Sequence, residues 1–187
     1  MVVSNAELES LINGCINNEL HRKEALYKGY YGYLKGVVLR YVRDYHSAEE
    51  LINDSFIKIF SHLESFKGTR DSADLNHSFK NWIAKIASRT AIDFLRKRKT
   101  EFGLEEINEN HTPAGLRINP AEHNGGREIM ALLNQLPQTQ KAVFNLYEIE
   151  GFSHEEIAGL LAIPENACRV YLSRAKTKLR SLLVKNL

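Results

Sequence analysis

The chain of 187 residues has little of what several protein classes require. Cys15 and Cys168 are its only cysteines, with no C-x-x-C pair, so neither a disulfide framework nor a zinc spacing is written in it. No apolar run approaches the roughly 20 residues that span a bilayer. The opening residues, MVVSNAELESL, lack the basic start and apolar run of a signal peptide. Direct membrane insertion is therefore not expected, and the cytoplasm is the expected compartment. There is no P-loop pattern and no H-E-x-x-H. Seven histidines are scattered, none at the E-x-x-H spacing of a di-iron bundle. No catalytic residue, metal ligand, cofactor or small-molecule substrate is expected, and no enzymatic activity. Net charge is only +2, so a nucleic-acid footprint must come from segregated charge rather than from its total.

Strand-like alternation is scarce, whereas helical periodicity runs through two blocks. With a hydrophobic content of 43%, these can form packed cores. The expected fold class is all-α: two small helical domains joined by a flexible linker, the second a helix-turn-helix. The expected boundaries are 1–100, 101–125 and 126–187. The middle stretch carries Pro113, Pro120 and several glycines without sustained periodicity, and Glu101, Glu105, Glu106 and Glu109 make its start acidic.

The last third carries the most specific local signals. Pro137 can occupy the first position of a helix, where its missing N–H costs nothing. Val143, Phe144, Leu146 and Tyr147 follow, and Gly151 ends that helix. Ser153 and Glu156 form an S-x-x-E capping box that opens a short helix. Ala162, Ile163 and Pro164 make a turn. On the next helix Cys168, Leu172, Ala175 and Leu179 fall in one apolar stripe. The other faces carry Asn166, Arg169, Tyr171, Arg174, Lys176, Lys178 and Arg180, which suits a polyanion. That order of elements describes a helix-turn-helix whose last helix can enter a major groove. Arg169 lies early on that helix and is the candidate for a base edge. Asn166, Val170 and Ser173 share its face, while Arg174 and Lys178 suit phosphate.

The first block begins with a weak helix from about Glu7 to Ile16 and a stronger one from about Arg22 to Tyr41. Next, Ser47 and Glu50 read as another capping box, with Ala48, Leu51, Ile52, Phe56, Ile59, Phe60 and Leu63 on one apolar face. Glu49, Glu50, Asn53 and Asp54 are left outside, as a solvated face or a partner surface. KGTRDSADLNHS is a loop, leading into a helix from about Phe79 to Arg98 that ends in RKRK. Trp82, the sole tryptophan, sits near its start as a core residue or as a platform for a base. An aromatic start and a basic end suit single-stranded DNA.

SAEELINDSFIKIF resembles the core-polymerase-binding helix of bacterial sigma factors. SFKNWIAKIASRTAIDFLRKRK resembles their −10 element helix. LPQTQKAVFNLYEIEGFSHEEIAGLLAIPENACRVYLSRAKTKLRSLL resembles their −35 element domain. These three in order, the overall size and the short linker resemble the extracytoplasmic-function (ECF) group, which keeps only these two domains. ALYKGYYGYLKGVVLRYV and VFNLYEIEGFSHEEIA look most like ECF factors of the Bacteroidetes. The resemblance runs from about residue 22 to the end, apart from the linker.

The resemblance implies that Glu49, Glu50, Asn53 and Asp54 dock on the clamp helices of the polymerase β′ subunit, with the β subunit flap as a further contact. It implies that the loop from about Lys67 to Asn76 captures a flipped base of the non-template strand. Trp82, Lys85 and Arg89 would line the path of the opening strand, with Arg96, Lys97, Arg98 and Lys99 on phosphate. The acidic linker would thread toward the active-site cleft, and the second block would read the −35 duplex. An anti-sigma factor is an implied second partner. Arg89 stands where asparagine is common, and Asn53 where glutamine is frequent. Ala167, Cys168, Val170 and Tyr171 also depart from the usual pattern, so the promoter consensus does not transfer. Cys168 keeps the stripe apolar. Two other classes remain: a stand-alone helix-turn-helix regulator, which leaves the upstream basic helix unexplained, and a helical adaptor without a nucleic-acid role.

Overall fold

The computed structural model describes residues 4–42, 44–68, 75–101 and 130–185. The chain divides into two compact units, Met1–Asp93 and Phe94–Leu187. Among the described residues there is no strand, and no helix is long and apolar enough to cross a membrane.

In the first unit, α1 (Asn5–Ile16) starts at a reciprocal cap between Ser4 and Glu7. Leu8, Ile12 and Cys15 are buried, packed toward α2 (Leu20–Val38). Asn18, at φ 61°, turns the chain between them, a left-handed conformation that asparagine tolerates. Gly14 allows the close approach: a Cβ there would stand 2.5 Å from the Arg22 side chain. Leu26, Tyr30, Leu34, Val37 and Val38 form the buried face of α2. The helix stops three residues before the expected Tyr41, because the bonds from Arg40 and Tyr41 shift to i−3 carbonyls.

α3 (Tyr45–His62) begins differently from the sequence expectation. The cap is Asp44, not Ser47. Its carboxylate accepts from the Ser47 amide at 2.8 Å and from the Ser47 hydroxyl at 2.6 Å. An ionised acceptor makes the stronger bond and complements the helix dipole, so the carboxylate takes the cap and Ser47 becomes its donor. Glu50 instead faces His46, at 3.3 Å. Ala48, Leu51, Ile52, Phe56 and Ile59 are buried as the periodicity requires. A 3-10 turn, Leu63–Ser65, closes the helix and lies against α1.

α4 (Leu75–Glu101) starts four residues before the expected Phe79. The polar run Asn76–His77–Ser78 reads as loop, yet it is helical. Tyr30 donates its hydroxyl to Asn76 Oδ1 at 3.3 Å, a tertiary bond that outweighs local propensity. Phe79, Ile83 and Ala87 are fully buried. Lys58 Nζ donates to Thr90 Oγ1 at 3.0 Å, joining α3 to α4. The central loop residues 69–74, linker residues 102–125 and the Lys99 side chain lie outside the described residues, while Glu101, expected as the start of the linker, ends α4.

In the second unit the described chain resumes as helical backbone at 130–133. Pro137 caps α5 (Gln138–Phe144) rather than forming its first residue. α5 runs into a π turn, Asn145–Ile149, which periodicity did not indicate. Gly151 at φ 70° reverses the chain. The expected capping box is present: Ser153 Oγ accepts from the Glu156 amide at 3.1 Å, and Glu156 accepts from the Ser153 amide at 2.9 Å. It opens α6 (His154–Leu161). Ala162 at φ 52° begins the tight turn, and α7 (Glu165–Lys185) follows Pro164. Val143, Leu146, Ile157, Cys168 and Ala175 are at or near zero exposure and form the core. Met130, Phe144 and Leu179 pack on a neighbouring cluster of Leu133, Leu136 and Ala175.

Candidate functional site

Three surfaces carry the sequence-predicted residues. On α3, Glu49, Glu50, Asn53 and Asp54 are all exposed, on the face opposite the buried stripe. Tyr27 of α2 reaches this face and donates its hydroxyl to Asn53 Oδ1 at 3.0 Å. Its ring packs on Phe56 at 4.4 Å and on Tyr31 at 5.5 Å. Burial pushes the Tyr27 phenol up, with the Tyr31 and Glu49 charges adding to it, so it stays a hydrogen-bond donor. Tyr27, Lys28, Tyr31, Glu49 and Asn53 line an open groove between α2 and α3. Ile57 extends the acidic face one turn further and is 67% exposed. The sequence reading missed Ile57, Tyr27 and Tyr31. Ile57 carried a signal, being an apolar residue outside the stripe of Ile52, Phe56 and Ile59.

On α4, Trp82, Lys85, Arg89 and Arg96 recur at i, i+3, i+7 and i+14, one side of the helix. Trp82 and Lys85 are half-buried, while Arg89 and Arg96 to Arg98 are exposed. Trp82 is two turns into α4, not at its start. It is neither fully in the core nor free, because Phe66 and Phe79 pack on it at 5.3 Å and 5.9 Å. Asn76, expected in the loop, sits in the first helical turn. Arg98 places its guanidinium over the Phe94 ring at 5.5 Å. A half-buried aromatic followed by a line of cations can hold an unstacked base beside its backbone phosphates.

On α7, Asn166, Arg169, Val170 and Ser173 share the face away from buried Cys168, Leu172 and Ala175, and all four are exposed. Arg169 is held by Glu165, with Nη2 to Oε1 at 2.7 Å. Arg174 and Lys178 are exposed on the flanking strip with half-buried Tyr171. Lys176 is engaged differently: its Nζ lies 2.7 Å from Glu148 of the π turn, which ties α7 to the end of α5. Tyr147 of the same turn stacks on His154 at 4.4 Å. Such a face, with Arg169 and Val170 at its centre and Arg174 and Lys178 beside it, fits a groove between two phosphate rows. Among the described residues, no group of three or more His, Cys, Asp or Glu is placed to hold a metal ion.

Two family models match these units, Sigma-70 region 2 over residues 26–101 and Sigma-70 region 4 over residues 126–179. The ECF RNA polymerase sigma factor SigX of Bacillus subtilis is 27% identical over 167 residues, covering 84% of this chain and 81% of that protein. The ECF RNA polymerase sigma factor SigE of Mycolicibacterium smegmatis is 28% identical over 147 residues, covering 75% of this chain and 53% of that protein. Of solved structures, the sigma factor RpoE in complex with the anti-sigma factor NepR from Bartonella quintana shares the fold. It has a TM-score of 0.52 and 20% identity, over 86% of this chain and 95% of that one. With region 2 carried by the α2–α4 unit and region 4 by the helix-turn-helix, the chain belongs to the ECF group of the sigma-70 family of RNA polymerase sigma factors.

Proposed function

We propose that the chain binds core RNA polymerase, directs it to specific promoters and helps to melt them, without chemistry of its own. Residues 1–100 would act as the region 2 domain, 101–125 as linker and 126–187 as the region 4 domain. The family matches at 26–101 and 126–179 support this division. The acidic face of α3 meets the β′ clamp helices, and the β flap is the second polymerase contact. Trp82, Lys85, Arg89 and the cations from Arg96 engage the −10 element, with Asn76 at the head of α4. Asn166, Arg169, Val170, Tyr171, Ser173, Arg174 and Lys178 engage the −35 element. The protein works in the cytoplasm. An anti-sigma factor is its other partner, a reading supported by the complex formed by the solved relative.

The observation that carries this reading is the order of surfaces. An acidic helix face and the aromatic start of a helix that ends in cations lie in the first unit, and a helix-turn-helix with a cationic last helix lies in the second. A stand-alone regulator accounts for the second unit only. The test is transcription of sheared genomic DNA by core polymerase from a related bacterium, with the transcript 5′ ends mapped. Discrete starts that appear only with the protein present are expected. Unchanged starts, with no co-elution of protein and core, would sink the proposal.

A further inference from the structure

The half-buried position of Trp82 has a mechanical cause in the structure. Phe66 follows the 3-10 turn directly, its amide bonded to the Leu63 carbonyl at 3.1 Å. Leu63 is 1% exposed, so the turn is anchored in the core. From there the Phe66 ring reaches α4 and meets Phe79 edge-on at 5.2 Å and Trp82 at 5.3 Å. Phe79 and Trp82 are themselves 5.9 Å apart, which closes a triangle of rings. Behind it, Tyr30 packs edge-on against Phe79 at 5.0 Å. Tilted and edge-on pairs at these separations are attractive and geometrically selective. The backbone just beyond Phe66 enforces the arrangement. A Cβ on Gly68 would stand 2.6 Å from Leu75 and 2.8 Å from the Phe66 ring. A side chain at 68 would displace the end of Leu75 or the Phe66 ring, so glycine leaves the ring where it lies on α4.

We infer that Phe66 is a positioning residue for promoter opening: seated by Gly68, it holds the Trp82 ring in the one orientation in which its free side can receive a base from the opening strand. This rests on the reading of Trp82 as a strand contact. An indole free to rotate would lose entropy on stacking, whereas a ring already held in place does not. Phe66 touches no DNA in this scheme and acts through Trp82 alone.

Trp82 is the chain's only tryptophan, so its fluorescence anisotropy and acrylamide quenching, read on the free chain before polymerase is added, report this ring alone. The experiment uses the full chain with core polymerase at a promoter duplex carrying a fluorescent base in the −10 element. It compares wild type, Phe66→Leu, Phe66→Tyr, Gly68→Ala, Trp82→Ala and the Phe66→Leu/Trp82→Ala double variant. Circular dichroism and polymerase co-elution confirm folding and assembly for each. Phe66→Leu and Gly68→Ala should lower Trp82 fluorescence anisotropy and raise its quenching by acrylamide. Both should slow opening by about three- to tenfold, the factor expected for losing one aromatic pair. Phe66→Tyr keeps the ring and should restore both readouts. The double variant should open at the rate of Trp82→Ala. If Trp82→Ala slows opening but Phe66→Leu does not, or if the two defects multiply in the double variant, Phe66 does not act through Trp82 and the inference is overturned. If Trp82→Ala opens at the wild-type rate, the strand contact itself is wrong and the inference falls with it.

Discussion

Cys15 and Cys168 each sit inside a helix–helix contact, at 3% and 0% exposure. Burial pushes the Cys15 thiol up to about 11, and the nearby Lys23 and Arg22 charges offset this only in part. Burial raises the Cys168 thiol as well. The thiolate is the reactive form, so at neutral pH both side chains behave as small apolar residues. The sign with pH follows. The folded thiols titrate above the unfolded ones, so this contribution to stability is intact below the unfolded value and declines as pH climbs toward about 11. Native protein at pH 7 should therefore react with an aromatic disulfide reagent only as fast as it unfolds. Rapid stoichiometric labelling of folded protein, followed by absorbance, would contradict this. The sequence reading passed over Cys15, although Leu8, Ile12 and Cys15 fall at i, i+4 and i+7 on one helix face. For Cys168 the stripe with Leu172 and Ala175 was enough, because a helix places those residues on one side by local geometry.

Among elements, α1 lies outside the segment matched by region 2, which begins at residue 26. It is nevertheless part of the first unit's core. Its Ser4–Glu7 cap fixes its start, and Leu8 is fully buried, with contacts from α1 to α2 and to the 3-10 turn. Leu8→Ala should destabilise the unit by about 2–5 kcal/mol, the usual range for emptying a closed apolar site. Urea unfolding followed by circular dichroism measures this, and a cost near zero would make α1 a loosely attached appendage. Sequence patterns found α2, α3 and α7 because each has a long apolar stripe, and α1 only as a weak helix. They misplaced the start of α3 because Asp44 and Ser47 both have capping chemistry, and charge decided between them. They misplaced the start of α4 because Asn76, His77 and Ser78 have loop chemistry. The Tyr30 hydrogen bond that favours the helix comes from a residue 46 positions away.

On the scale of the whole molecule, the two interaction units are joined by a stretch with an acidic start, and the promoter elements they address lie on one DNA. Shortening the 101–125 segment should impair initiation more than it impairs polymerase binding, since each unit keeps its own surface while the span between them is lost. Comparing abortive transcript yield with co-elution of protein and core checks this. Equal losses in both would show that the segment serves assembly rather than span.

The succession of helices, the helix-turn-helix and its cationic face follow from periodicity, capping residues and charge placement, whereas a polymerase role for the acidic face of α3 is what the resemblance to sigma factors implies. Periodicity, capping and charge placement act within a few positions along the chain, so they can be read without a fold. The state of each site residue was decided elsewhere. Tyr27 on Asn53, Phe66 on Trp82 and Glu148 on Lys176 are contacts between separate elements, and they hold some side chains and leave others to a partner. They depend on how helices pack, which local chemistry does not specify, because packing is chosen by the burial of all the apolar faces together.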